Sequence, residues 1–156
     1  MPDVMTGTTI ARLDTAAAVA GLRALPPEAA RGFFDLDPVT QNDALLAKEI
    51  DRTGVQLYSC GETLLGCRPN PDHPRQAQVA STSSAPEPLR ALLGSLGTYQ
   101  RCTSFFALVP QDSPVAAAFE SCGFGRVGTL PEHLFHSGRY RDVVIYHATR
   151  GDKCLS

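Results

Sequence analysis

The stretch FFALVPQDSPVAAAFESCGFGRVGTL, residues 105–130, decides the predicted fold together with GRYRDVVIY, residues 138–146. Its first five residues form a continuous apolar run that ends at a proline, a pattern typical of a strand buried on both faces. Pro114 then favours the start of a helix, and Gly123 favours its end. Two β-rich runs follow, so this third of the chain predicts strand, helix, strand, strand.

The rest of the chain continues this alternation of strands and helices. Helices are predicted from an N-cap at Asp14 to Leu25, from a capping pair at Thr40 and Asp43 to Thr53, from a capping box at Ser84 to Gly97, and from Ser113 to Gly123. Strands are predicted at residues 8–13, 55–60, 63–67, 76–82, 105–109, 126–130 and 140–147. Loops are predicted at 68–74 and 131–139, and a loop or irregular helix at 26–38. The order β-α-α-β-β-β-α-β-α-β-β predicts an α/β (α+β) fold with helices on both faces of a sheet.

Composition indicates one globular domain. A chain of 156 residues with 43% apolar positions can bury a core without a disulfide or metal. Lysine and arginine, 14 in all, nearly balance 16 acidic residues, so no basic field attracts nucleic acid. We expect a single domain over residues 1–156, with flexible tails at 1–7 and 151–156.

Signals for export, membrane insertion and metal binding are missing from the sequence. The first seven residues lack the basic region and apolar run of a signal peptide, and no stretch approaches the ~18 apolar residues of a membrane span. The five cysteines include no CxxC pair, and the four histidines add no zinc spacing. We therefore expect a reduced, cytoplasmic protein with no metal, membrane or nucleic-acid partner.

Residues 105–146 resemble the GNAT superfamily of acyl-coenzyme A-dependent N-acetyltransferases. In that family a buried strand, a helix ending in "GF", a strand carrying "VG" and a "G-x-Y/W-x-D-V" segment follow one another. The hairpin GETLLG at 61–66 is similar to the family's second and third strands, and TIARLD at 9–14 to its first. The resemblance implies a central mixed, mostly antiparallel sheet, acetyl-CoA or another acyl-CoA as cofactor, a small-molecule amine as acceptor, and a homodimer.

The resemblance also implies where the cofactor binds. In the family the fourth and fifth strands splay, the pantetheine arm lies in the gap, and the pyrophosphate sits at the start of the next helix, where unpaired N–H groups favour anions. Carried onto this sequence, the cofactor-binding residues are Val79, Ser81, Ser83, Ser84, Asp112 and Phe119. The residues alone leave other roles open: helix capping for the serines, a turn for Asp112 and core packing for Phe119.

Three positions depart from the family pattern. The Gly-x-Gly/Ala turn before the helix is absent, and residues 81–87 read STSSAPE, so Pro86 removes a donor and Glu87 adds negative charge where the pyrophosphate should lie. Phe119 stands where many relatives have a tyrosine that protonates the leaving thiolate. Residues 76–84 hold no carboxylate, where relatives often keep a glutamate base.

Catalytic candidates come from the predicted loop before the last strand. Glu132, His133 and His136 lie in or beside it, and a histidine of near-neutral pKa can accept the proton of an amine. Tyr140 is the alternative acid. A solvated loop, or for Tyr140 packing at the start of a strand, is the competing interpretation.

Three functions remain open from the sequence. The first is acyl transfer from coenzyme A to a small-molecule amine, which needs mainly positioning and an oxyanion donor. The second is a GNAT-like pseudoenzyme that no longer uses acetyl-CoA and acts as a binding or regulatory module. The third is a repurposed pathway enzyme of specialised metabolism that uses the same cleft for another reaction.

Overall fold

One mixed sheet organises the described part of the chain. The computed structural model describes residues 9–26, 33–136 and 138–149. The predicted tails at 1–7 and 151–156, and much of the predicted loop or irregular helix at 26–38, lie outside these residues. The order of the described elements is the predicted one, from the first strand to the last.

The element bounds define the labels used below. The strands are β1 Ala11–Arg12, β2 Gln56–Cys60, β3 Thr63–Asn70, β4 His73–Ser81, β5 Ser104–Pro110, β6 Gly125–His136 and β7 Arg139–Thr149. The helices are α1 Thr15–Ala24, α2 Asp43–Thr53, α3 Pro86–Tyr99 and α4 Ala116–Ser121. The seven strands lie in the order β1-β2-β3-β4-β5-β7-β6, and only β4 and β5 pair in parallel among them. The predicted α/β fold with a mixed, mostly antiparallel sheet is confirmed.

Helices cover both faces of the sheet, as predicted. Successive side chains of a strand point to opposite faces. Val79 and Phe105 belong to a buried cluster with residues of α3 and α4, whereas Leu57 and Leu64 belong to a second cluster with residues of α1 and α2. We call these two sides the α3/α4 face and the α1/α2 face.

The helix starts differ in how well the sequence predicts them. Asp14 caps α1 as predicted, since its carboxylate accepts a hydrogen bond of 2.8 Å from the Ala17 N–H. The predicted Thr40 and Asp43 pair for α2 is wrong, because Asn42 is the N-cap and accepts from the Leu45 N–H at 2.9 Å. Asparagine at this position satisfies an unpaired N–H of the first turn, which is the role predicted for Thr40.

The predicted capping box of α3 is also wrong. Ala85 is the N-cap and makes no side-chain cap bond, while Ser83 Oγ accepts from the Ala85 N–H at 3.0 Å. At the other end α3 continues past Gly97 to Tyr99. Gly97 is buried against the core, so tertiary packing outweighs its low helix propensity.

Two predicted loops are largely strand. β3 and β4 extend through much of residues 68–74, and β6 and β7 extend through much of residues 131–139. Strand pairing with a neighbour, such as Leu134 opposite Arg141, overrides the local preference of proline, serine and glycine for turns.

Gly66 in β3 allows two phenylalanine rings to pack on the α1/α2 face of the sheet. A Cβ atom on Gly66 would lie 2.5 Å from the nearest Phe34 ring carbon and 3.1 Å from Phe33. Both rings are buried and meet edge to face, with centroids 5.1 Å apart. The missing side chain is therefore part of the packing.

We expect Gly66→Ala to lower the free energy of unfolding by about 1–3 kcal/mol, because overpacking forces both rings to move. Urea denaturation measures the change. Gly94→Ala is the matched control, since a Cβ there meets nothing within 4 Å and alanine favours a helix by about 0.5–1 kcal/mol. Equal stability of the Gly66→Ala protein and the parent chain would contradict the packing argument.

Burial in β3 raises the pKa of the Cys67 thiol to about 12, from an ordinary value of 9.0. The folded protein therefore keeps this thiol neutral at a pH where the unfolded chain ionises it. The contribution of this thiol to the free energy of unfolding is fully present below pH 9 and is lost as the pH rises toward 12.

Between pH 8 and pH 10 we expect the parent protein to lose about 1.4 kcal/mol more stability than Cys67→Ala, since one proton is released on unfolding over about one pH unit. Urea denaturation at both pH values gives the difference. The same loss in both proteins would show that Cys67 does not control the alkaline response.

Candidate active site

β4 and β5 separate partway along their length. Their parallel pairing ends at Gln78 and Phe106, although β4 continues to Ser81 and β5 to Pro110. Beyond the last pair the two strands no longer satisfy each other's backbone groups. The predicted splay between the fourth and fifth strands is therefore present in the structure.

The backbone of β4 directs polar groups toward this gap. The Thr103 N–H donates to the Arg75 carbonyl at 2.8 Å, so odd-numbered residues of β4 turn their backbone groups toward β5. On the other edge the Thr82 N–H donates to the Leu64 carbonyl of β3 at 3.1 Å. Because backbone groups alternate along a strand, Val79 and Ser81 direct their N–H and C=O groups toward the gap.

A cavity of about 510 Å³ occupies the gap and draws its lining from both faces of the sheet. On the α3/α4 face the lining is Val79, Ser81, Val109, Val115 and Phe119. On the α1/α2 face it is Pro26, Phe33, Ala80, Thr82, Leu108, Leu134, His136 and Arg141. Pro110 at the end of β5 and residues 111–114 in the turn after it also line the cavity.

Four of the six predicted cofactor-binding residues line this cavity, namely Val79, Ser81, Asp112 and Phe119. Ser83 and Ser84 lie between β4 and α3, outside the lining. Ser81 Oγ accepts from the Ser83 N–H at 3.2 Å, so part of the serine run holds this turn together. Cofactor binding by these six residues stays a prediction.

Asp112 and Phe119 combine the two roles that the sequence leaves open for each. Asp112 lies in the turn after β5 with a φ of 67° and also lines the cavity. Phe119 is 1% exposed, stacks on Tyr146 at 6.1 Å and meets Phe124 edge to face at 5.1 Å. A residue can therefore belong to the core and form a wall of the cavity at once.

The start of α3 offers few hydrogen-bond donors. Pro86 and Pro88 have no N–H group, and the Ala85 N–H already bonds to Ser83. Of the four positions that normally leave N–H groups unpaired, Glu87 alone remains, and its side chain carries a negative charge. An anion therefore meets a weaker binding site here than at most helix starts.

Glu132 and His133 lie on an irregular part of β6. The register with β7 shifts between Leu130 and Leu134, and the Glu132 N–H donates to the Asp142 carboxylate at 2.9 Å. Both side chains are exposed and neither lines the cavity. Their catalytic roles stay predictions.

Tyr140 lies opposite Phe135 in the β6–β7 ladder, with ring centroids 5.1 Å apart. Its side chain is 64% exposed and stands outside the cavity lining. Because side chains alternate along β7, Tyr140 points to the other face from Arg141. Its role as the acid also stays a prediction.

Comparison with known proteins gives a clear structural likeness. No family model and no curated protein sequence match the chain. The spermidine N-acetyltransferase of Vibrio cholerae in complex with CoA and spermine superposes with a TM-score of 0.71 at 18% identity, over 95% of this chain and 98% of that one. A dodecameric structure of that enzyme in an intermediate state gives 0.66 at 17% identity, over 92% and 94%.

The protein has the GNAT fold. The resemblance carried by residues 105–146 is therefore confirmed at the level of the fold. In this GNAT fold the gap between β4 and β5 is the position at which the resemblance places the pantetheine arm.

No helix among the described residues is long and apolar enough to cross a membrane, and the same residues hold no cluster suited to a metal ion.

Two further polar residues line the cavity of this GNAT fold, and one of them is a candidate from the sequence analysis. His136, which the sequence analysis grouped with Glu132 and His133, lines the cavity, and so does Arg141, which it did not single out. Leu134 lies directly opposite Arg141, and His136 follows two residues later on the same face. Alternate residues of a strand share one face, so the sequence could have indicated His136 and Arg141 if residues 131–139 had been predicted as strand.

The position of Tyr140 allows its predicted role to be tested. Since the phenol lies outside the cavity lining and packs on Phe135, we expect Tyr140→Phe to change kcat for thiol release by less than about twofold, against the ~10²–10⁴-fold contribution of a general acid. Tyr99→Phe, at an 82% exposed position, is the control. A hundredfold loss specific to Tyr140→Phe would instead establish the acid.

Proposed function

We propose that the protein transfers an acetyl or other short acyl group from coenzyme A to a small-molecule amine. The observation that carries the proposal is the cavity between the separated ends of β4 and β5, with backbone groups of Val79 and Ser81 directed toward it. A neighbour of the same fold is a spermidine N-acetyltransferase in complex with CoA and spermine, which supports this class of reaction.

The gap suits the pantetheine arm of an acyl-CoA. An extended chain of amides can exchange hydrogen bonds with an open strand edge, as an added strand does. The α3/α4 side of the cavity is lined mainly by apolar side chains, among them Val79, Val109 and Phe119. An apolar wall keeps water from the thioester, and the backbone of Ser81, beyond the last strand pair, is directed toward the gap, where an N–H group can donate to the thioester carbonyl oxygen.

The start of α3 suits the diphosphate less well, since Glu87 supplies its one remaining N–H together with a negative charge. We therefore assign the main binding contacts to the arm in the gap.

The chemistry depends chiefly on positioning. When bound, acyl-CoA supplies an activated carbonyl carbon. The amine nitrogen forms a bond to that carbon, the C–S bond breaks, and the proton lost by the amine passes to water while the thiolate takes one from water. The chain holds the two reactants in contact, which accounts for much of the rate in such reactions. Glu132, His133 and Tyr140 stand outside the cavity lining, so the proposal gives none of them direct contact with the reacting atoms.

A binding or regulatory module without coenzyme A is the second candidate, and the start of α3 is the observation that favours it. Calorimetric titration of the reduced protein with acetyl-CoA separates the two. Micromolar binding, followed by release of free thiol with a panel of amines, is the result expected for the transferase. No heat and no stabilisation would support the module and reject the transferase.

Glu87→Gln tests whether the diphosphate lies at the start of α3. Removing this charge should strengthen acetyl-CoA binding by about 0.3–1 kcal/mol, roughly two- to fivefold, and the gain should shrink at high salt. Acetyl-pantetheine, which has no diphosphate, should bind both proteins alike.

Asp72→Asn removes one negative charge from the turn between β3 and β4, at the opposite end of β4, and serves as the control. Equal acetyl-CoA affinity in the Glu87→Gln and parent proteins would place the diphosphate elsewhere.

The predicted homodimer stays a prediction, and analytical ultracentrifugation measures the oligomeric state.

A further inference from the structure

The α1/α2 side of the cavity carries one cationic side chain among the described residues, that of Arg141. The side chain is half-buried, and its Nε reaches the His136 carbonyl at 3.5 Å, the long limit of a hydrogen bond. None of the ion pairs among the described residues involves it. The neighbouring Asp142 carboxylate is occupied by the Glu132 N–H.

His136 lies on the same face of the sheet, and its two ring nitrogens differ in their surroundings. Its Nδ1 is buried and has no hydrogen-bond partner in the described part of the chain. Nε2 is not enclosed in this way, so it is the ring nitrogen that can meet a ligand in the cavity, and it donates to an acceptor when it carries the proton.

The charged side chains of the whole cavity lining also favour a ligand that carries a negative group. Asp112 is its one carboxylate and Arg141 its one guanidinium among the described residues. A polyamine carries several ammonium groups and no anion, so it would leave Arg141 unpaired and find a single carboxylate. A molecule with one amine and one carboxylate matches the lining better.

We propose that the acceptor is an amino acid, whose carboxylate is held by the Arg141 guanidinium and the His136 Nε2–H on the α1/α2 side of the cavity. The inference rests on the proposed function and names its substrate class. An arginine guanidinium matches a carboxylate with two parallel hydrogen bonds. With the carboxylate fixed, the amine lies toward the gap between β4 and β5, where the thioester is expected.

The test compares acceptors that differ in the carboxylate alone. With acetyl-CoA as donor, the pairs are L-phenylalanine and phenethylamine, L-histidine and histamine, and L-lysine and cadaverine, with spermidine as the polyamine. We expect kcat/KM to be about 10- to 100-fold higher for at least one amino acid than for its decarboxylated partner, the range of a hydrogen bond to a charged group. Comparable or faster acetylation of spermidine and the simple amines would overturn the proposal.

Variants identify the side chains responsible. Arg141→Gln should raise KM about 10- to 100-fold for the amino acid and leave the decarboxylated amine within about threefold. His136→Gln, which keeps a donor near the Nε2 position, should retain more affinity for the amino acid than His136→Leu. Arg139→Gln, an exposed arginine of the same strand, is the matched control. An equal effect of Arg141→Gln on both acceptors, or of both arginine variants on the amino acid, would overturn the assignment.

A binding measurement separates this proposal from the proposed function. Ligand-observed NMR with the same amino acids, in the absence of any thioester, reports the carboxylate site directly. Binding that Arg141→Gln abolishes would uphold the site even if no acyl transfer is found. Absence of binding, together with acetylation of amines that lack a carboxylate, would reject the amino-acid acceptor and leave the transferase intact.

Discussion

The parallel pairing of β4 with β5, and its end at Gln78 and Phe106, is the constraint on which the site depends. Parallel neighbours require a crossover connection, and α3 provides it on the α3/α4 face. The crossover places the carboxyl ends of β4 and β5 and the start of α3 on the same side of the sheet. An open strand edge beside an apolar cavity follows from this topology before any side chain acts.

The two faces of the sheet give the cavity two chemically different halves. The α3/α4 half is lined mostly by aliphatic and aromatic groups, and Phe119 ties it to the core through Phe124 and Tyr146. The α1/α2 half is also lined largely by apolar side chains, but it adds the side chains of His136 and Arg141. A reaction between a thioester and a polar acceptor can use both halves, since the thioester meets the apolar wall and the polar groups of the acceptor meet Arg141 and His136.

The sequence predicts most elements that a local pattern defines, although the cap signals at Thr40 and Ser84 are wrong, and it misses the length of strands that depends on pairing. The buried run at 105–109 and the Asp14 cap are local features, and both are confirmed. The β6–β7 hairpin is rich in polar and turn-forming residues, so its extension to His136 and Arg139 depends on cross-strand bonds that no local window shows. The prediction missed Arg141 for the same reason, because its place in the cavity follows from strand alternation.

Pro86 and Pro88 have an effect beyond the donors that they remove. Each fixes one backbone dihedral in the unfolded as well as the folded chain, so less conformational entropy is lost when α3 forms. The turn of residues 81–85 is further held by two backbone N–H groups that donate to serine hydroxyl oxygens. This corner of the molecule is preorganised, and a ligand that contacts it meets a surface that has no need to rearrange, rather than a loop that tightens on binding.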